Sequence, residues 1–164
     1  ILASTDPLTQ LINRRVMEQI LQKELERAKR YETPLTVVFL DVDDFKTVND
    51  QFGHKAGDCV LKHIARSLLQ MTRGSDVVAR FAGDEFVVIL PNTLLSEASE
   101  LANRLKSFFI DHALDFEGAS IPISISLGLS CIEQEIDDAG ALLKKADAML
   151  YSAKKNKHTR GSRT

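Results

Sequence analysis

Two acidic clusters carry the chemistry this sequence could perform. Asp84 and Glu85 stand side by side in Arg80-Phe81-Ala82-Gly83-Asp84-Glu85-Phe86. Apolar alternation enters that stretch from Asp76 and leaves it towards Leu90. Two strands are therefore expected to meet at a Gly-containing turn that presents both carboxylates. The second cluster, Asp41-Val42-Asp43-Asp44, ends an apolar run over residues 35–40 that has the pattern of a buried strand. Carboxylates at the end of a core strand and on a nearby hairpin can converge on a hard cation such as magnesium. That arrangement suits phosphoryl or nucleotidyl transfer. Taken alone, the same residues are more simply read as solvated acids at strand ends.

The rest of the chain has to build a scaffold for those groups. Its 164 residues suit one domain, and 44% apolar with 27% charged residues suits an ordinary core and a polar surface. A net charge of -2 supplies no basic field for a nucleic-acid backbone, so a nucleotide ligand is expected to be small. No apolar run is long enough to span a bilayer, and no signal-peptide pattern opens the chain. Cys59 and Cys131 are isolated, without metal-ligand spacing, and are expected to be reduced thiols of a cytoplasmic domain. The abrupt start at Ile1 suggests a piece of a longer regulatory protein.

Periodicity orders the elements. Asn13 is expected to cap a helix over residues 14–31, with Met17, Ile20, Leu21, Leu25 and Ala28 as its stripe and Thr33-Pro34 after its end. The strand over residues 35–40 follows. A short helix over 44–50, a loop over 53–57 and a helix over 58–71 come next. The last of these carries Val60, Leu61, Ile64, Leu68 and Met71 on one face. The acidic hairpin follows, then a helix marked by Ala98, Leu101, Ala102, Leu105, Phe108 and Phe109. Ile121, Ile123, Ile125, Leu127 and Leu129 alternate with small residues as a strand. Ala139, Leu142, Leu143, Ala146, Met149, Leu150 and Ala153 mark the last helix. The order is one helix, a βααββαβ core and a final helix. It implies an α/β (α+β) sandwich in which a mostly antiparallel sheet is covered by helices.

These residues resemble the GGDEF domain, the diguanylate cyclase module of bacterial signalling. The resemblance runs from about Asp6 to His158. It rests on Asp6-Pro7-Leu8-Thr9 with Asn13-Arg14-Arg15, on residues 40–61 (LDVDDFKTVNDQFGHKAGDCVL), on 76–86 (DVVARFAGDEF), on 124–128 (SISLG) and on 146–154 (ADAMLYSAK). It implies a ferredoxin-like, palm-type fold related to the adenylyl cyclase core. It also implies condensation of two GTP molecules into cyclic di-GMP and two pyrophosphates, by a homodimer.

Asp41, Asp84 and the Val42 carbonyl match the family's ligands for Mg2+ or Mn2+. Glu85 matches a residue that binds metal or activates the hydroxyl. Lys46 and Lys154 match triphosphate contacts, and Gly83 lies in the turn that meets the substrate. Asn49 and Asp58 match the guanine-reading pair. An amide that donates and accepts, beside a carboxylate facing N1 and N2, would leave adenine with unpaired groups. The plainer roles are a solvent-facing Lys46, an Asn49 that forms a turn and an Asp58 that caps a helix; for Asp58 both roles are expected. Phe45 and Phe52 are expected in the core, Asp147 on a polar helix face, and His54 and His63 without chemistry.

Arg73-Gly74-Ser75-Asp76 stands at the family's product-inhibition offset, with Arg104 as a supporting arginine on the next helix. By itself such a pair is more often an ion pair at a helix end. Three positions depart from the family. Ala82 replaces the first Gly of the active-site motif, and Lys157 and His158 stand where Gly and Arg are usual. Strain at Ala82 would follow only if its φ were positive. Lys157 or Arg160 would be needed to offset the weaker His158. The expectation is an enzyme, with a weak or inactive domain that senses cyclic di-GMP or GTP as the alternative.

Overall fold

A computed structural model describes residues 2–133 and 138–161. The chain opens with a wide turn around Asp6, whose carboxylate accepts from the Thr9 amide and hydroxyl, both at 2.8 Å. Asn13 then caps α1 (Arg14–Tyr31) by accepting from the Val16 amide. Met17, Leu21, Leu25 and Ala28 are buried, one stripe of a 3.6-residue period. Glu32, in the left-handed region, closes the helix by donating its amide to the Ala28 carbonyl.

β1 (Leu35–Val42) runs through the middle of the molecule. α2 (Phe45–Phe52) and α3 (His54–Met71) follow, then the hairpin of β2 (Val77–Ala82) and β3 (Glu85–Pro91). α4 (Leu95–Asp111) leads to a small hairpin of β4 (Leu114–Phe116) and β5 (Ala119–Ile121). β6 (Ile125–Cys131) and α5 (Ala139–Gly161) complete the chain. The main sheet has the order β2-β3-β1-β6 and every neighbouring pair is antiparallel. This is the mixed α/β arrangement expected from the element order, in the ferredoxin-like form that the resemblance implies.

Period-two alternation on β1 divides two cores. Val38, Leu40 and Val42 pack into one with α3 and α4, while Leu35, Val37 and Phe39 pack into the other with α1 and α5. β3 does the same, with Phe86, Val88 and Leu90 on one side and Val87 and Ile89 on the other. A sheet covered on both faces explains why these strands are apolar throughout.

Several expectations are corrected. The loop over 53–57 is a single residue, Gly53 at φ 92, and α3 begins at His54. Gly57 is a helix residue facing α2, where an added Cβ would lie 1.9 Å from Asn49 Oδ1. Close helix packing, not a loop, explains this glycine. Asp58 therefore lies inside α3 and caps nothing, and Asn49 lies inside α2 rather than in a turn. The strand expected to run from Ile121 to Leu129 is two strands, because Pro122 follows Ile121 and removes a ladder donor. β4 and β5 were not expected, although Glu117 and Gly118, at φ 50 and 82, are a two-residue hairpin turn. Met149, placed on the apolar stripe, is 50% exposed.

Gly128 fixes the seat of α5. A Cβ there would lie 2.1 Å from the Ala146 carbonyl oxygen and 2.2 Å from the Leu150 amide nitrogen. Bare backbone lets α5 lie directly on β6, which carries its far end over the tip of β1. Among the described residues no helix is long and apolar enough to cross a membrane.

Candidate active site

The sheet brings the two acidic clusters together. Asp41, near the end of β1, pairs in register with Glu85 at the start of β3 and with Ser126 of β6. Gly83 and Asp84 form the turn between β2 and β3, with a register shift between Arg80 and Ala82. The Val42 amide donates to the Asp84 carbonyl at 3.2 Å, which ties the two clusters by backbone. Gly83 has φ 29, whereas Ala82 is not among the residues of positive φ. The strain considered for Ala82 is therefore absent.

The electrostatics follow from crowding. Burial, then the neighbouring Asp84, raise the Asp41 pKa to about 6 against the opposing ammonium of Lys154. Lys154 reaches down from α5 and donates to Asp41 Oδ2. Asp41 Oδ1 is enclosed and has no hydrogen-bond partner. Burial raises the Glu85 pKa as well, followed by the charges of Asp147 and Asp84. Asp43 goes the other way. Burial opposes its ionisation, but Lys157 and the Ser124 and Ser126 hydroxyls hold its pKa below the usual value.

A short chain of contacts fixes the turn. Arg80 donates from Nε at 3.1 Å and from Nη2 at 2.8 Å to the Gly83 carbonyl. Its Nη1 donates to both Asp6 oxygens at 3.1 Å. Phe81 packs edge-on against Phe39 and lies under the Arg14 guanidinium, 4.2 Å from the ring centroid.

A cleft of about 270 Å3 opens beside this edge, lined by Asp43, Asp44, Ser124, Lys154, Lys157 and His158. Lys46 is exposed on the first turn of α2, which has no side-chain cap. Asn49 is half-buried against Gly57, and the exposed Asp58 is the next residue along α3. The two residues of the expected guanine-reading pair thus lie on the two helices of the α2–α3 contact, and no hydrogen bond joins them among the described residues. Phe45 and Phe52 pack against the core, as expected.

Beyond the end of α3, the Arg73 amide donates to Asp76 Oδ2 at 2.8 Å and the Asp76 amide returns a bond to the Arg73 carbonyl at 3.0 Å. Asp76 Oδ1 is enclosed without a partner. Side chain meets backbone here; this is not the ion pair weighed as the plain alternative. Arg104 is exposed on α4, and among the described residues no hydrogen bond or ion pair joins it to Arg73 or Asp76. Lys157 does not face the cleft as a free cation, since Asp43 holds it at 2.6 Å. Sequence reasoning missed the roles of Asp6, Arg80, Asp43, Ser126 and Asp147. Asp-x-Asp at a strand end and Lys-x-x-Lys on a helix were the available signals, since each spacing puts both residues on one face.

Among the described residues no three side chains of His, Cys, Asp or Glu come together as a ready-made metal cluster. The donors at hand are the carboxylates of Asp41 and Asp84 with the Val42 backbone. An enclosed carboxylate oxygen with no donor fits an incoming hard cation.

Comparison with known proteins places this geometry. The family described as "Diguanylate cyclase, GGDEF domain" matches residues 3–160, and the chain belongs to it. The chain is 42% identical over 154 residues to diguanylate cyclase DgcP of Pseudomonas aeruginosa, covering 93% of this chain and 23% of DgcP. It is 39% identical over 159 residues to the response regulator PleD of Caulobacter vibrioides, covering 93% of this chain and 34% of PleD. It thus spans between about a quarter and a third of those relatives. The GGDEF domain of DgcB from Caulobacter crescentus, solved in complex with c-di-GMP, superposes with a TM-score of 0.90 at 26% identity, over 95% of this chain and 90% of that one. The diguanylate cyclase SiaD of Pseudomonas aeruginosa, solved with its activator SiaC, gives 0.88 at 34% identity, over 94% and 59%.

Proposed function

We propose that this chain is a cytoplasmic diguanylate cyclase domain that joins two GTP molecules into cyclic di-GMP. Each 3'-hydroxyl oxygen forms a bond to the α-phosphorus of the other nucleotide, pyrophosphate leaves, and the hydroxyl proton passes to a base. The observation that carries this reading is the meeting of Asp41, Asp84 and Glu85 at one sheet edge, with Asp41 Oδ1 enclosed and unpartnered. An unsatisfied buried acceptor costs about 1–3 kcal/mol, which a bound cation would relieve.

Asp41, Asp84 and the Val42 carbonyl would hold Mg2+ or Mn2+. Such a cation, when bound, would screen the charge that builds on the phosphate oxygens. Glu85, whose proton affinity is raised, suits acceptance of the hydroxyl proton or support of the cation. Lys46 and Lys154 would neutralise the triphosphate, helped by the uncapped amides at the start of α2. Asn49 and Asp58 would read the guanine edge, and Gly83 would keep the turn clear of side chain near the substrate. Arg73 and Asp76, supported by Arg104, would take the product. Family membership and the complex of DgcB's GGDEF domain with c-di-GMP support these roles.

Incubation with GTP and Mg2+, followed by nucleotide chromatography, tests the reading. Cyclic di-GMP is expected from GTP and none of the adenine counterpart from ATP. Asp84→Ala should lower the rate at least about a hundredfold; full product from that variant removes Asp84 from the mechanism. A second reading, a regulatory domain that binds nucleotide without turnover, is favoured by Lys154 resting on Asp41 and already neutralising that carboxylate. It predicts GTP binding with no product at any protein concentration.

A further inference from the structure

Asp41 is the penultimate residue of β1 and Asp43 the first residue after it, and a lysine of α5 reaches each. Lys154 and Lys157 stand three apart on α5 and share one face of that helix. The two acids and two lysines close as a double clasp, Lys154 on Asp41 and Lys157 on Asp43. The halves differ in how completely they are satisfied. Lys157 Nζ donates to Asp43 Oδ2 at 2.6 Å, to the Ile125 carbonyl at 2.7 Å and to the Ser124 hydroxyl at 3.4 Å. All three ammonium protons are engaged. Asp43 is also satisfied on both oxygens, by the Ser124 and Ser126 hydroxyls at 2.6 Å each. Lys154 has one acceptor among the described residues, and the other oxygen of that acceptor has no donor.

We propose that Lys157 is a fixed bolt that seats the last turns of α5 on β1 and β6, and that Lys154 is a resident counter-ion of Asp41 which a divalent cation must displace. The proposal deepens the cyclase reading and rests on it for the use made of the cation. The resting domain then binds cations weakly, because an ammonium already neutralises the carboxylate. Once displaced, Lys154 finds its next acceptors on phosphates in the cleft it lines. Cation and nucleotide each remove the same contact, so each favours binding of the other. Lys157 is a positioning residue and has no proton left for a phosphate.

The test is Mn2+ affinity of the nucleotide-free protein, read by electron paramagnetic resonance of the free ion. Lys154→Met should bind Mn2+ about tenfold tighter than the parent or more, the equivalent of about 1.4 kcal/mol. Lys154→Gln provides the same measurement should the Met variant not fold. Lys155→Met is the charge control, since that ammonium lies 4.9 Å over the Tyr151 ring and touches neither carboxylate. It should stay within about twofold of the parent, the range of a distant surface change. A non-hydrolysable GTP analogue should tighten Mn2+ binding more in the parent than in Lys154→Met. Unchanged or weaker Mn2+ binding by both Lys154 variants overturns the counter-ion assignment. Lys157→Met should lower the melting temperature while analogue affinity changes by less than about threefold. Analogue affinity lost at an unchanged melting temperature would make Lys157 a phosphate ligand and overturn the bolt. Should Mn2+ tighten as expected while the parent makes no cyclic di-GMP, the cyclase reading fails and the clasp stands.

Discussion

Ala82 decides how far a family departure matters at the scale of one residue. It is exposed, pairs with Glu85 and lies outside the left-handed region, so its methyl meets no backbone penalty. Restoring the family residue by Ala82→Gly should change the cyclase rate by less than about threefold, and flexibility added to an exposed strand end should cost about 0.5–1 kcal/mol of stability. A tenfold gain in steady-state rate would instead show that the methyl obstructs the nucleotide. Arg73 poses the opposite case. The Asp76 carboxylate is already turned by the Arg73 amide, so Arg73→Ala keeps that turn and removes only the guanidinium. Calorimetry should show cyclic di-GMP binding lost in Arg73→Ala and kept in Asp84→Ala. Equal affinity of Arg73→Ala and the parent would place the product elsewhere.

Among the elements, α3 and α4 meet through a histidine. The His63 ring packs against both Phe108 and Phe109, with centroids 6.4 and 5.9 Å away, and its Nε2 is enclosed without a partner. Burial lowers its pKa below 6.5, and the charges of Arg66 and His112 act the same way. The sign follows from linkage. Below about pH 6.5 the unfolded chain takes up the proton before the folded one does, so stability falls as pH drops through that range. Asp41, raised from 3.8 to about 6, pulls the other way between those values. The comparison therefore has to be with a variant. The urea midpoint of the parent, measured from pH 7.5 to 5, should fall relative to that of His63→Phe. Parallel midpoints across the range would show that His63 is not held neutral.

For the whole molecule, one site of this kind presents one GTP, while the product is symmetric and needs two. On the proposed cyclase reading, two domains would therefore have to face each other during turnover. Rate per chain should rise with protein concentration. Fusion of a dimeric helix ahead of the domain should raise the rate at low concentration by raising effective concentration. A rate per chain that stays flat across a wide dilution series, from protein that is monomeric by light scattering, would rule that assembly out.

The residue order alone carried the mostly antiparallel sheet, the helices that cover it and the two acidic clusters. Continuous apolar strands and 3.6-residue stripes are written locally, in period and burial. Asp41, Asp84, Glu85, Lys46, Asn49 and Asp58 were legible as candidates for the same reason, since their motifs are short and contiguous. Three things waited for the tertiary structure. Gly57 and Gly128 look like loop or strand punctuation, and only packing reveals them as places where helix backbone or side chain fills the missing Cβ. The contacts of Asp6 with Arg80 and of Lys157 with Asp43 join residues 74 and 114 positions apart. Neither has a local periodicity to announce it. The pKa of Asp41 depends on depth, on Asp84 across the sheet edge and on Lys154 from the last helix. Those are properties of where segments meet, and a one-dimensional pattern holds no distance between them.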